Sequence, residues 1–307
     1  MKAPIGILAT IVITLSGCQV LSPRAIDSPT RRFDDRLVDS QNSQIEIGKR
    51  RVVIDTVGCL VGIPSKLLLW DCRIDNHKIT EPTILTAAEY LQANNLPHVK
   101  VRMNQYAPLK DFSRLRHNTT VAWPYRYTLG VLSVAGEAIL PGRLLGGDHY
   151  NPFTQTAHIY SDVPAIALHE LAHAKDFSRR KYQGTYSLAY TVLPLWHETI
   201  ASRDVFDYLF RQGDVAAISE ANRILYPAHM TYVGGAVGEV FPAVGAPVYY
   251  AGVLFGHLNG RWQTLAMDQQ LAQYQSELIG RQTEGFDPSQ DVPDEWRKTL
   301  AAQGQDW

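Results

Sequence analysis

The chain has 307 residues, 45% of them hydrophobic, and a formal net charge of −1. That length suits one large domain or two small ones, and the apolar fraction is ordinary for a protein with a buried core. Near-neutral charge without a long block of one sign excludes the basic stripe of a nucleic-acid surface, so no nucleic-acid partner is expected. The short run Lys49-Arg50-Arg51 reads as a solvated entry to an element. No P-loop, dinucleotide fingerprint or internal repeat occurs.

Residues 1–17 read as an export signal. Lys2 supplies the positive start and residues 5–15 an apolar run too short to span a bilayer. The run ends in Leu15-Ser16-Gly17-Cys18, which resembles a bacterial lipobox. That resemblance implies cleavage before Cys18 and lipidation of its thiol, with each buried methylene adding about 0.8 kcal/mol to membrane attachment. Gln19, in place of the Asp that retains such lipoproteins at the inner membrane, favours the outer membrane, with the protein facing the periplasm. Residues 18–48 are polar and carry Pro23 and Pro29, the composition of a flexible tether.

The expected domain spans residues 49–277. Residues 52–57 are β-branched and read as a strand, followed by a second apolar run over 66–72. Cys59 and Cys72 form an even pair in an exported chain, so a disulfide is expected, contributing about 3 kcal/mol by loop entropy. Residues 83–94 have Ile84, Ala87, Ala88 and Leu91 on one face and read as a helix. Residues 99–103, 121–134 and 156–160 read as strands, with Gly142, Gly146, Gly147, Asn151 and Pro152 punctuating the connection before the last.

From residue 163 the pattern turns helical. Helices are expected over 163–177, 195–211 and 214–226, the last with Asp214 as N-cap and Pro227 as its stop. Residues 232–258 are nearly uncharged but contain Glu239, Pro242, Pro247 and several glycines. They read as core helices around a turn, with a membrane-dipping hairpin as the sharper alternative; Gly252 and Gly256 are spaced for close helix contact. Residues 278–307 read as a surface helix and tail. Strands first and helices afterwards give an α+β fold.

The chemistry lies in His169-Glu170-Leu171-Ala172-His173. On a helix, residues four apart share a face, so both histidines can reach one zinc ion while Glu170 points at the open coordination position and can accept a proton from water there. The flanking residues 165–177 contain no Gly or Pro. A catalytic zinc site needs a third protein ligand. Glu198, on the next helix, is the best candidate, and its neighbour His197 is the rival. Ala201, one turn on, lets the two helices approach.

His-Glu-x-x-His followed by Glu-x-x-Ala resembles the gluzincin class of zinc metallopeptidases, including its thermolysin-like members. The resemblance covers about residues 150–210 and implies a zincin-like fold, one Zn2+ held by His169, His173 and Glu198, and Glu170 as catalytic base. It also implies that residues 151–160 supply an edge strand above the active-site helix, pairing with an extended polypeptide substrate. The chain departs from the class at Ser202, where an Asp often orients a zinc ligand; Asp204 and Asp176 are the candidates for that role. Tyr226, His229, Tyr232 and His257 are candidates for stabilising the oxyanion, His229 and Tyr232 first. His77, His98, His117, His149 and His158 show no ligand spacing and read as structural.

The leading expectation is therefore a zinc metallopeptidase of the cell envelope. A non-catalytic zinc-binding lipoprotein serving envelope assembly, or a zinc amidase acting on cell-wall bonds, are the alternatives. An intact Glu170 argues against the first, and only pocket shape separates the second.

Overall fold

A computed structural model describes residues 44–282 of the chain. The expected signal peptide, Cys18, most of the expected tether and residues 283–307 lie outside the described residues. Two compact units divide what is described, one up to Ala201 and the other from Ser202 onward, and the expected domain over 49–277 includes residues of both.

The first unit is α+β around a small four-stranded sheet in the order β1-β2-β4-β3. Strands β1 (Ile45–Ile47), β2 (Lys100–Met103) and β4 (Thr156–Ile159) run parallel, and β3 (His149–Asn151) closes the sheet antiparallel to β4. β4 lies between two neighbours and all four of its residues are buried, as expected for an interior strand with both faces covered. β1 falls within the stretch expected as tether, so the fold begins earlier than the polar composition suggests. Its register sets Ile45 opposite Val101, and Val101 in turn lies opposite Ala157. Glu46 reaches over to Lys100 and to the buried Arg102, whose guanidinium also donates to Asp111 at 2.9 Å.

Residues 52–57 form no strand. Val52–Val61 is helix α1, and after a bend Ile63–Leu69 is α2. The reason is tertiary. Asp55, Gly58 and Gly62, at helical spacing, face inward: Asp55 pairs with buried Arg143, and the two glycines sit against His77 and Asp75 with no room for a Cβ. The Asp55 carboxylate also accepts from the Arg51 backbone N–H, which helps to start the helix. The β-branched residues that suggested a strand, Val52, Val53 and Val57, are exposed instead. This inverts the usual amphipathic pattern. Cys59 and Cys72 are free thiols, not a disulfide, because the residues between them are taken up by this bent helix pair.

Helix α3 (Glu81–Ala93) matches its apolar periodicity. It is tied to the sheet by Asp162, whose Oδ1 accepts from Thr80 N, Thr80 Oγ1 and Thr83 Oγ1. Helix α4 (Pro108–His117) follows β2. Residues 121–134, expected as a strand, are helical: α5 (Trp123–Tyr125), a π-helical turn (Arg126–Gly130) and α6 (Val131–Ile139). Gly130 and Val134, four apart, are the buried positions, with Gly130 against Leu115 and Phe153; period 2 has no role here. A short α7 (Gly142–Leu145) leads into β3.

After β4 come α8 (Pro164–Ser178), α9 (Gln183–Val192) and α10 (Pro194–Gln212). The second unit is dominated by two long helices, α11 (Val215–Val240) and α12 (Gly245–Gln282), joined by a short turn at Pro242–Val244. Asp214 caps α11 as expected, its side chain accepting from Ala217 N at 2.9 Å. Pro227 does not stop α11. It is buried inside the helix against Gly256 of α12, and tertiary packing carries the helix through. Gly252, Gly256 and Gly260 form a strip along which α12 meets Met230, Pro227 and Asn222 of α11. Residues 232–258 are thus the closed end of a helix hairpin, with Phe241 and Val244 exposed at its turn. Among the described residues no single helix is long and apolar enough to cross a membrane; only the bent pair α1–α2 meets that length and composition.

Candidate metal centre

Helix α8 carries the site because of how its sequence starts and packs. Val163 is extended, Pro164 occupies the first turn where its missing N–H costs nothing, and the alanines that follow favour helix. The helix packs on α3 and is buried on almost every face, with His169, Glu170 and His173 buried among Ala167, Leu171 and Ala174. Lys175, an unusual charge in such a helix, is covered as well, its ammonium 5.6 Å from the centre of the Tyr90 ring.

α9 and the turn after it bring the chain back so that Glu198, in the first turns of α10, faces the histidines. Glu198 Oε2 lies 2.8 Å from His169 Nε2 and its Oε1 3.3 Å from His173 Nε2; the two ring nitrogens are 3.1 Å apart. All three ligand atoms lie within 4.8 Å of one another. This donor set fits a borderline-soft divalent cation. Two imidazole nitrogens and a carboxylate can each offer a lone pair to one ion, the mixed nitrogen–oxygen set that zinc accepts. The site lies within one unit, formed by residues 169–198. Burial by itself raises the Glu198 carboxyl, but the charge and hydrogen bonds of His173 and His169 outweigh it and hold the group well below the usual carboxylate range. It therefore meets a cation already ionised.

Glu170 sits beside this cluster. Burial pushes its carboxyl up to about 8; Glu198 and Asp148 add to that, while His173 and His149 oppose it. A divalent charge at the three ligands would draw it down again. A carboxyl poised in this way can take and return a proton.

An aromatic wall backs the ligands. Tyr190 of α9 meets the His173 ring edge-on, with centroids 5.5 Å apart, and packs against His197 on its other side at 4.7 Å. His197, the rival third ligand, is turned into this wall. Its Nδ1 lies 3.0 Å from the Tyr186 hydroxyl, which donates to Asp176 Oδ2, and Asp176 Oδ1 accepts from Arg180 at 2.6 Å. Asp176 thus acts through Tyr186 on His197, and does not orient His169 or His173 directly. Asp204, His229 and Tyr232 fall in the second unit.

The sheet edge beside the helix is shifted from its expected place. The edge strand is His149–Asn151, and residues 156–159 are the interior strand next to it. Asp148 fixes the start of that edge: its carboxylate accepts from the backbone N–H groups of Tyr160 and Ser161 and from the Ser161 hydroxyl. Beside β3 opens a cavity of about 660 Å³, lined in part by Leu132, Glu137, His149, Phe153 and Tyr190.

Sequence reasoning missed Tyr190, Glu137 and the pairing of His149 with His158. One signal was present: Pro152 and the residues after it make a turn, and strands paired about that turn set 149 opposite 158. Compared with known proteins, the chain matches no family model, no curated protein and no solved structure.

Proposed function

We propose that this chain is a zinc-dependent peptidase with a zincin-like active site, attached to a bacterial envelope membrane through Cys18. The observation that carries the proposal is the convergence of His169, His173 and Glu198 on one point, with the carboxyl of Glu170 buried beside it. These three side chains hold the metal, and Glu170 is left over as the base.

Zinc bound there would supply Lewis acidity, making water more acidic and a carbonyl more electrophilic. The residues of the chain do the rest. Glu170 accepts the proton of the attacking water and then passes it to the leaving amine nitrogen. Its buried setting favours this exchange, because burial raises the carboxyl towards the neutral range while a bound cation would lower it again. Strand β3, at the sheet edge, suits an extended polypeptide that adds a strand by backbone hydrogen bonds. The neighbouring cavity would take one substrate side chain, of mainly apolar character given Leu132 and Phe153 in its wall.

Membrane attachment rests on the lipobox-like sequence. The exposed apolar surface of α1 and of the α11–α12 turn is compatible with it. A purely structural zinc protein would have no use for Glu170, which favours the enzymatic reading. The test is Glu170→Gln in the full-length mature chain. It should keep its zinc and lose hydrolysis of an unstructured protein substrate by at least about 100-fold, the lower end of what a general base contributes. Unchanged turnover would remove Glu170 from the mechanism.

A further inference from the structure

We propose that Glu137, His149 and His158 form a second site for a divalent transition-metal ion, sharing no residue with the first. His149 and His158 face each other across the β3–β4 pair, with rings stacked 4.8 Å apart and 13° from parallel. Cross-strand partners are close enough to share one ion. Glu137, from helix α6, reaches both: Oε1 is 3.1 Å from His149 Nε2 and Oε2 is 3.6 Å from His158 Nε2. The ligand atoms of the three residues lie within 4.8 Å of one another, the same span as in the first cluster.

Two further features point to a bound ion rather than a simple ion pair. First, the outer contacts are those of metal ligands. His149 Nδ1 lies 3.0 Å from the Gly147 carbonyl, which accepts its N–H and directs the Nε2 lone pair at Glu137. Glu137 Oε1 is itself held by Asn151 Nδ2 at 2.6 Å, and that amide also donates to Ser133 Oγ at 2.8 Å. Second, His158 Nε2 is buried, faces the carboxylate, and has no hydrogen-bond partner. One cation satisfies all three groups at once.

Two imidazoles and a carboxylate select zinc or a similar borderline-soft ion over magnesium or calcium. Three protein ligands leave a coordination position, and all three line the cavity beside β3. An ion here would pin the edge strand to α6 and present a Lewis-acidic wall to whatever enters that cavity.

The test is metal stoichiometry on the full-length mature chain, stripped with chelator, reloaded with Zn2+ and freed of excess. Wild type should hold two ions per chain. Glu137→Gln and His149→Ala should each hold one, and Glu198→Ala should also hold one. His149 is partly exposed, so its variant tests the site without opening the core, and unchanged melting of the stripped variants checks their folding. Co2+ loaded into Glu198→Ala should give the ligand-field absorption of a four-coordinate nitrogen–oxygen site, lost in the Glu137→Gln double variant. One ion in wild type that disappears with Glu198→Ala would overturn this site and leave the first standing. One ion that survives Glu198→Ala but is lost with Glu137→Gln would support this site and remove the first. Two ions retained in both Glu137→Gln and His149→Ala would overturn the assignment.

Discussion

Glu198 Oε2 lies 2.8 Å from His169 Nε2, across a separation of 29 residues that contains all of α9. Everything that α9 does, from the aromatic packing of Tyr186 and Tyr190 to the turn before Pro194, serves to bring that carboxylate back over α8. His197, one residue earlier, is turned the other way by the same helix geometry.

This separation of roles predicts opposite outcomes for neighbouring residues. In a Glu137→Gln background, which isolates the first site, Glu198→Ala should weaken Zn2+ binding by more than about 100-fold. His197→Ala should lose no more than the roughly 10–100-fold typical of an outer partner. Titration calorimetry on both variants checks it, and tight zinc binding retained by Glu198→Ala would exclude it as a ligand.

Two glycines of the α11–α12 hairpin, Gly256 on α12 and Gly235 on α11, predict a pair of opposite stability effects. A Cβ at Gly256 would lie 2.6 Å from Pro227 Cα, a backbone atom that cannot turn aside, so Gly256→Ala must push the helices apart. The overpacking cost of about 1–3 kcal/mol outweighs the helix-propensity gain of up to about 1 kcal/mol. At Gly235 a Cβ meets nothing within 4 Å, and Gly235→Ala should stabilise by about 0.5–1 kcal/mol. Denaturant melts of the two variants should therefore move in opposite directions.

The Asp55–Arg143 pair predicts a pH dependence. Burial raises the Asp55 carboxyl, but the hydrogen bond from Arg143, the Arg51 backbone N–H and the Arg143 charge together lower it below its ordinary value. Its contribution is therefore fully present above the unfolded value of about 4 and is lost as pH falls through the lower folded value. Asp55→Asn should cost about 1.5–3 kcal/mol at neutral pH, the range for hydrogen bonds to charged groups. The gap in melting temperature from wild type should stay constant above about pH 4 and close below it. A gap that widened on acidification would refute the sign.

Much of the site was legible because its signals are local. The apolar, glycine-free run around His169 and His173 can only be a helix, and Glu198 stands out through Ala201 and the length of the loop back. Residues 99–103 were legible as a strand from their alternation and 156–160 as a strand candidate, and the strands are Lys100–Met103 and Thr156–Ile159. What failed was decided by partners distant in sequence. Residues 52–61 carry β-branched side chains, yet Asp55, Gly58 and Gly62 find Arg143, His77 and Asp75 only if the segment is helical. Pro227 looks like a stop until Gly256 packs on it. Glu137 carries no motif at all, and only the sheet register and α6 bring it to His149 and His158.

The most direct measurement is a crystal structure of the zinc-loaded chain, with diffraction recorded on both sides of the zinc absorption edge. A zinc-specific anomalous peak bounded by His169 Nε2, His173 Nε2 and the Glu198 carboxylate, with Glu170 facing it, is the predicted result. Folded, zinc-saturated protein with no peak between those three residues would contradict the account.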